Sequence, residues 1–330
     1  MPYDEKAQQL RRRTAFGHAR LTLLLVLGCA LALAQSPVST PIHGVTVDDR
    51  HDIRNHVVLE KVLASLRHLS VTPTTRIVYA PGKKHVYFPA SSYLDATTQI
   101  RSVGPVLGQP VDSFYMKCFT PAEYINRFKD YVDTLGKVVD IWEIGNEING
   151  EWLFGATNKC SLKASVESTS QADVVSKMTG AYDYVKSQGK VAALTLYYNT
   201  PCKRPDANEM FTWVDANVPP RMRSGLDYVL VSYYEVDCNG YRPDWQKVFG
   251  QLAGLFPNSR LGFSEFGWSD SKPGEAVIKD LIRRTYAVHP DVPNWVGGGF
   301  YWEFAIDMVP YDPASNSLWS TIDTALKNQQ

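Results

Sequence analysis

The sequence has no surplus of charge: 34 basic groups face 34 acidic ones across 330 residues. A formal charge of zero gives no basis for a polyanion-binding surface, so nucleic acid is not an expected partner. None of the five cysteines forms a C-x-x-C pair, and His43, His51, His56, His68, His85 and His289 show no ligand spacing. No metal site is therefore expected, and no cofactor. A glycine-rich phosphate loop and a nucleophilic-serine motif are both missing. No linker, low-complexity tract or shift of composition divides the chain. What is present, 44% hydrophobic and 12% aromatic residues, describes a folded globular protein.

The first 34 residues read as an address. Arg11, Arg12, Arg13 and Arg20 precede an apolar run from Leu21 to Ala34, closed by the small-x-small triplet Ala32-Leu33-Ala34. Charged start, short apolar middle and A-x-A end are the parts of a secretory signal peptide, residues 1–34. The run of 14 residues falls short of the roughly 17–25 that span a bilayer, and no other segment approaches that length. Cys29, after Val26-Leu27-Gly28, is an alternative lipobox, but the apolar run continues past it. Losing five basic and two acidic groups with the leader leaves 29 and 32, a formal charge of −3. A soluble, monomeric protein, secreted or periplasmic, is the expectation, with no membrane contact beyond the export signal.

Residues 35–330 alternate short β-branched or aromatic runs with amphipathic stretches. The strand candidates are His43–Asp49, Arg76–Pro81, Val103–Gln109, Val138–Glu147, Val191–Asn199, Asp227–Val236, Arg260–Trp268 and Trp295–Phe304. Helices are expected near 52–69, 88–99, 121–135, 171–187, 207–216, 244–256, 274–288 and 314–326. Eight such units predict an α/β fold, a closed (β/α)8 TIM barrel in a single domain. A doubly wound sheet needs fewer strands and often a glycine-rich first turn, which the segment after His43 lacks. The third unit is the weakest, because Ser102 to Asp112 is rich in glycine and proline.

In such a barrel the working residues sit where strands end. Strand four ends in Asn146 and Glu147, with Trp152 in the loop; strand six ends with Tyr233, Tyr234, Glu235 and Asp237. Strand seven ends with Glu265 and Trp268, and strand eight with Trp302 and Glu303. Two glutamates across an aromatic-lined mouth suit glycoside cleavage. One carboxylic acid protonates the departing oxygen while a second carboxylate faces the anomeric carbon. Tryptophan and tyrosine offer apolar faces to sugar rings.

These strand ends resemble the clan of retaining (β/α)8 glycoside hydrolases, clan A. Trp142 to Trp152 ("WEIGNEINGEW") is similar to the fourth-strand motif of families 51 and 39, the former including arabinofuranosidases. Ser264 to Trp268 ("SEFGW") is similar to the seventh-strand motif of families 5 and 26. The resemblance implies that Glu147 is the general acid/base and Glu265 the nucleophile. It further implies that Asn146 bonds the sugar 2-hydroxyl, Tyr234 holds the nucleophile, and Trp302 lies beneath the sugar. Two departures are visible. Ser232 stands where many members have histidine, and the arginine often found at the end of strand two has no counterpart, because Arg76 opens that strand.

Other residues have two readings. Glu143, four before Glu147, fits a hydrogen-bonded interior position better than a third catalyst. Asp48 and Asp49 suit either a sugar hydroxyl or the cap of the next helix. Trp152, Trp268 and Tyr241 suit a sugar platform or a loop staple, while Trp142 reads as packing. Lys83, Lys84 and His85 read as a solvated loop. Cys118, Cys160, Cys202 and Cys238 follow strands three to six, and an even number in an exported chain predicts disulfides. Cys118–Cys160 with Cys202–Cys238 is the preferred pairing, with Cys160–Cys202 its rival. The expected function is a retaining hydrolase of β-linked glycosidic bonds in an extracellular polysaccharide or oligosaccharide, endo-acting in preference to exo-acting. An exo-acting enzyme such as an α-L-arabinofuranosidase is the enzymatic alternative. A non-catalytic glycan-binding or inhibitor barrel is the alternative from another class.

Overall fold

A run of residues buried on both faces is what a parallel sheet covered by helices demands, and the eight strand candidates meet that condition along almost their whole length. The structure is a computed structural model that describes residues 38–49, 52–83, 86–154, 169–200, 202, 206–268 and 272–329. The strands are β1 (Ile42–Asp48), β2 (Thr74–Val78), β3 (Val106–Gln109), β4 (Ile141–Gly145), β5 (Ala192–Tyr197), β6 (Tyr228–Ser232), β7 (Arg260–Gly267) and β8 (Trp295–Trp302). Each pairs in parallel with its sequence neighbours, and β8 closes on β1. The expected (β/α)8 barrel is the observed fold. Its weakest predicted unit still yields β3, four residues long.

The principal helices are α1 (His56–Arg67), α2 (Leu94–Arg101), α3 (Pro121–Leu135), α4 (Gln171–Ser187), α5 (Met210–Asn217), α6 (Trp245–Leu255), α7 (Glu275–Tyr286) and α8 (Ser317–Lys327). Local chemistry fixes their starts. Thr120 and Glu123 form a capping box ahead of α3, with Pro121 at the first helical position, and Ser170 with Asp173 does the same for α4. Tyr124, Phe128, Tyr131, Val132 and Leu135 recur at helical spacing along the buried face of α3. A one-turn helix, Ser113–Met116, follows β3 and was not anticipated from the sequence.

Side chains along a strand alternate between faces, and inward positions change character on rising through the barrel. Leu107, Ile141, Ala193, Leu230 and Phe300 belong to one buried apolar cluster. Two residues further along their strands stand Gln109, Glu143, Thr195, Ser232 and Trp302. The floor is hydrocarbon and the upper layer is polar.

Three expectations fall partly or wholly outside the described residues: the leader, 1–34, the solvated loop at Lys83, Lys84 and His85, and Cys160. Cys202 and Cys238 are joined, with Cα atoms 4.9 Å apart and a sequence separation of 36, which sets aside the rival Cys160–Cys202 pairing. Cys118 is disulfide-bonded as well.

Near the seam, β8 carries Gly297, Gly298 and Gly299 at φ +76°, +86° and +82°. L side chains rarely adopt such angles. A Cβ on Gly298 would also lie 2.2 Å from the Phe263 carbonyl oxygen of β7. Gly298→Ala is expected to destabilise by about 1–3 kcal/mol. In contrast, Gly250→Ala, within α6 with nothing within 4 Å of the new atom, is expected to stabilise by about 0.5–1 kcal/mol. Urea unfolding of the two variants measures both effects.

Candidate active site

The polar layer is organised around an arginine in the barrel interior. β2 starts at Thr74, two residues earlier than its sequence suggests, so Arg76 stands in mid-strand and is fully buried. This corrects the view that Arg76 merely opens the strand. Its Nε and Nη2 donate to Glu143 at 2.7 and 3.2 Å, and Nη2 also donates to Glu265 Oε1 at 2.5 Å. Burial alone would lower the arginine's pKa, but Glu143 and then Glu265 outweigh it and raise it. Glu143, itself buried, thus holds Arg76 in place and also accepts from Asn146 Nδ2 at 3.3 Å.

Glu265, near the end of β7, has both carboxylate oxygens occupied. Oε1 accepts from Arg76 and from Asn146 Nδ2 at 2.8 Å, and Oε2 accepts from the Tyr234 hydroxyl at 2.7 Å. Burial, followed by the charges of Glu265 and Glu147, raises the Tyr234 pKa well above its ordinary value and keeps the phenol a donor.

Glu147 follows β4 with φ +45°, in the left-handed region. Its partners differ in kind. Ser232 Oγ donates to Oε1 at 2.5 Å and Ser113 Oγ to Oε2 at 3.0 Å. No cation contacts this carboxyl among the described residues. Burial, then the negative charge of Glu265, pushes its pKa well above that of an ordinary glutamate. Ser232, the position at which the sequence departs from the resemblance, therefore has a definite contact here.

Both glutamates open onto one cleft of about 970 Å³, also lined by Trp152, Tyr234, Trp302, Asp48, Asp49 and Asp112. Asn146 lies beneath it through its bond to Glu265. Trp152 meets the edge of Tyr197 at 5.2 Å between ring centroids. Trp268 is not brought to this cleft among the described residues: its indole N–H donates to Asp307 at 3.1 Å, and the Lys272 ammonium sits 5.8 Å from its ring centre. Tyr241 is exposed away from the cleft's described lining. Asp49 accepts from the Tyr93 hydroxyl and from Ile53 N, and burial pushes its carboxyl up to about 6.

Sequence reasoning missed several lining residues, Asp112 and Ser113 among them. Asp112 is pushed up to about 7 by burial, then by Glu265 and Asp48. Ser113 reaches Glu147 directly. The Asp-Ser pair after strand three is an N-cap signal, and that signal locates the turn without revealing what it touches.

No protein-family model matches the chain, and no curated protein sequence does. Solved structures do match. A β-glycosidase, BGL167, has a TM-score of 0.57 at 11% identity, over 89% of this chain and 98% of its own. A family 1 β-glucosidase from Thermotoga maritima has 0.54 at 10%, over 82% and 89%. A Saccharomyces cerevisiae Gas2p variant in complex with laminaritetraose and laminaripentaose has 0.53 at 14%, over 90% and 65%. The likeness is one of fold.

Because the Glu265 charge opposes ionisation of Glu147, Glu265→Gln is expected to lower the pKa at which Glu147 titrates. Carboxyl ¹³C NMR of the labelled variant measures the shift, whose sign is downward.

Proposed function

We propose that the chain is a retaining glycoside hydrolase that cleaves β-linked bonds in an extracellular polysaccharide or oligosaccharide. The observation that carries this reading is the unequal treatment of two carboxyls in one cleft. Glu265 is bonded by a guanidinium, an amide and a phenol, whereas Glu147 is bonded by two neutral hydroxyls. Environments of this kind separate a carboxylate from a proton-bearing acid. A barrel likeness to β-glycosidases supports the same reading.

In the first step Glu265 attacks the anomeric carbon as the glycosidic C–O bond breaks. The bonding pair leaves with the departing oxygen, which takes the proton of Glu147. A covalent glycosyl-enzyme results, and Glu265 loses its charge. The Glu147 pKa then falls, so the ionised Glu147 takes a proton from water. The resulting hydroxide-like oxygen attacks the anomeric carbon, the ester C–O bond breaks, and both glutamates return to their starting states. Asn146, whose amide nitrogen bonds Glu265 and whose amide oxygen accepts from the Ser113 backbone, is the group assigned to the sugar 2-hydroxyl. Trp302 and Trp152 are assigned to the sugar faces. The protein acts as an exported monomer that begins at Gln35 after removal of residues 1–34.

Glu265→Ala is expected to reduce turnover by at least about a thousandfold. Azide is expected to rescue it with inversion at the anomeric carbon, read by NMR of the product. Full activity of this variant on a polysaccharide panel would sink the mechanism. N-terminal sequencing of the exported protein is expected to begin at Gln35.

A further inference from the structure

Asp112 Oδ1 accepts from Phe114 N at 2.8 Å and caps the one-turn helix, fixing Ser113 as its first residue. Ser113 is then engaged in three directions. Its backbone N–H donates to Asn146 Oδ1 at 2.8 Å, and its hydroxyl donates to Glu147 Oε2 at 3.0 Å. The indole Nε1–H of Trp152 donates to that same hydroxyl oxygen at 3.2 Å.

The polarity of this chain is fixed by chemistry. An indole N–H is a donor only, and a serine hydroxyl has one hydrogen to give. Ser113 Oγ must accept from Trp152, so its hydrogen is free to point at Oε2 of Glu147. In the protonated carboxyl the proton then sits on Oε1 and Ser232 Oγ accepts from it, the reverse of its donation to the ionised carboxylate. The Trp152 ring is held in turn: it meets Tyr197 edge-on and lies across Gly150, where a Cβ would come within 2.6 Å of it. Phe114, the next residue after Ser113, is 53% exposed and lines the same cleft. One indole and the proton-bearing carboxyl therefore meet at one serine, with the Phe114 ring on the next residue lining the same cleft.

We propose that Ser113 is a positioning residue for Glu147, and that the Trp152–Ser113–Glu147 chain couples proton donation to a sugar leaving group seated on Trp152 and Phe114. The inference rests on the reading of Glu147 as proton donor. A sugar ring resting on Trp152 holds the indole, the indole holds the serine hydroxyl, and the hydroxyl determines which oxygen of Glu147 carries the proton. In the step concerned, the C–O bond to the leaving sugar breaks, its electron pair stays on the leaving oxygen, and the Glu147 proton joins that oxygen. A leaving group that departs as a stable anion draws little on this chain.

The test compares Ser113→Ala and Trp152→Phe on two substrates: a β-linked oligosaccharide and a dinitrophenyl glycoside of the same sugar. For Ser113→Ala, the loss of kcat/KM, which reports the first step alone, is expected to be about 10-fold or more greater on the oligosaccharide than on the aryl glycoside. Trp152→Phe keeps an aromatic face without the N–H, and its loss should be skewed the same way. The basic limb of the oligosaccharide pH profile should move to higher pH in Ser113→Ala, because the Glu147 carboxylate has lost a donor. Equal losses on both substrates, or an unmoved limb, would overturn the proposal. A second measurement needs no turnover. The indole ¹⁵N–H resonance of Trp152 should follow the titration of Glu147 in the unaltered protein and cease to do so in Ser113→Ala. An indole signal indifferent to that titration overturns the coupling. Undiminished oligosaccharide turnover by Glu147→Gln would instead overturn the functional reading.

Discussion

A guanidinium with no exposure to water must find its counter-charge inside the protein, and the upper barrel is arranged around that requirement. Arg76 on β2 reaches Glu143 on β4 and Glu265 on β7, so one side chain ties three separated strands. The two carboxylates outnumber the one cation, and neutral donors supply the balance: the Asn146 amide and the Tyr234 hydroxyl. Removing a partner from such a set leaves a buried charge uncompensated, at a cost of about 3–5 kcal/mol. The apolar cluster beneath it, with Leu107, Ile141, Leu230 and Phe300, excludes water from below. Interactions between charges are correspondingly stronger above it.

The same arrangement separates the two cleft glutamates in character. The hydrogen bonds of Arg76 go to Glu143 and Glu265. Glu147 is left to serine hydroxyls, which stabilise a carboxylate less than a cation does. A histidine in place of Ser232 would bring a second titratable group against Glu147; serine brings none. The proton on Glu147 is thus governed by burial, by the charge state of Glu265, and by hydroxyl orientation.

The fold was legible because short apolar runs buried on both strand faces alternate eight times with amphipathic helices, several of them capped, and tertiary packing did not override them. Asn146, Glu147, Tyr234 and Glu265 were legible as polar groups ending hydrophobic runs. Arg76 was not, because hydrophobic pattern locates a strand better than it locates its first residue, and a two-residue error moved the arginine from mid-strand to the strand's opening. Trp268 shows the opposite failure. It follows Glu265 by three positions, an odd step that reverses the face along an extended chain, and its indole meets Asp307 instead of the described cleft lining. The contacts of Ser113 were invisible for another reason. They depend on how closely the ends of β3 and β4 approach, and no local pattern encodes that distance.

Barrel closure has a consequence for when the cleft comes into being. β1 pairs with β8 through residues such as Ile42 and Gly297. The backbone of Asp48 also donates to Glu303, 255 positions away. Contacts of such sequence separation form late, since loop closure must precede their reward. During synthesis, Arg76, Glu147 and Glu265 all emerge before Trp302. A nascent chain that has made seven strands thus holds its charged residues beside an open edge, without Trp302, which lines the cleft. Its competence arrives in one stroke, with the strand that seals the ring.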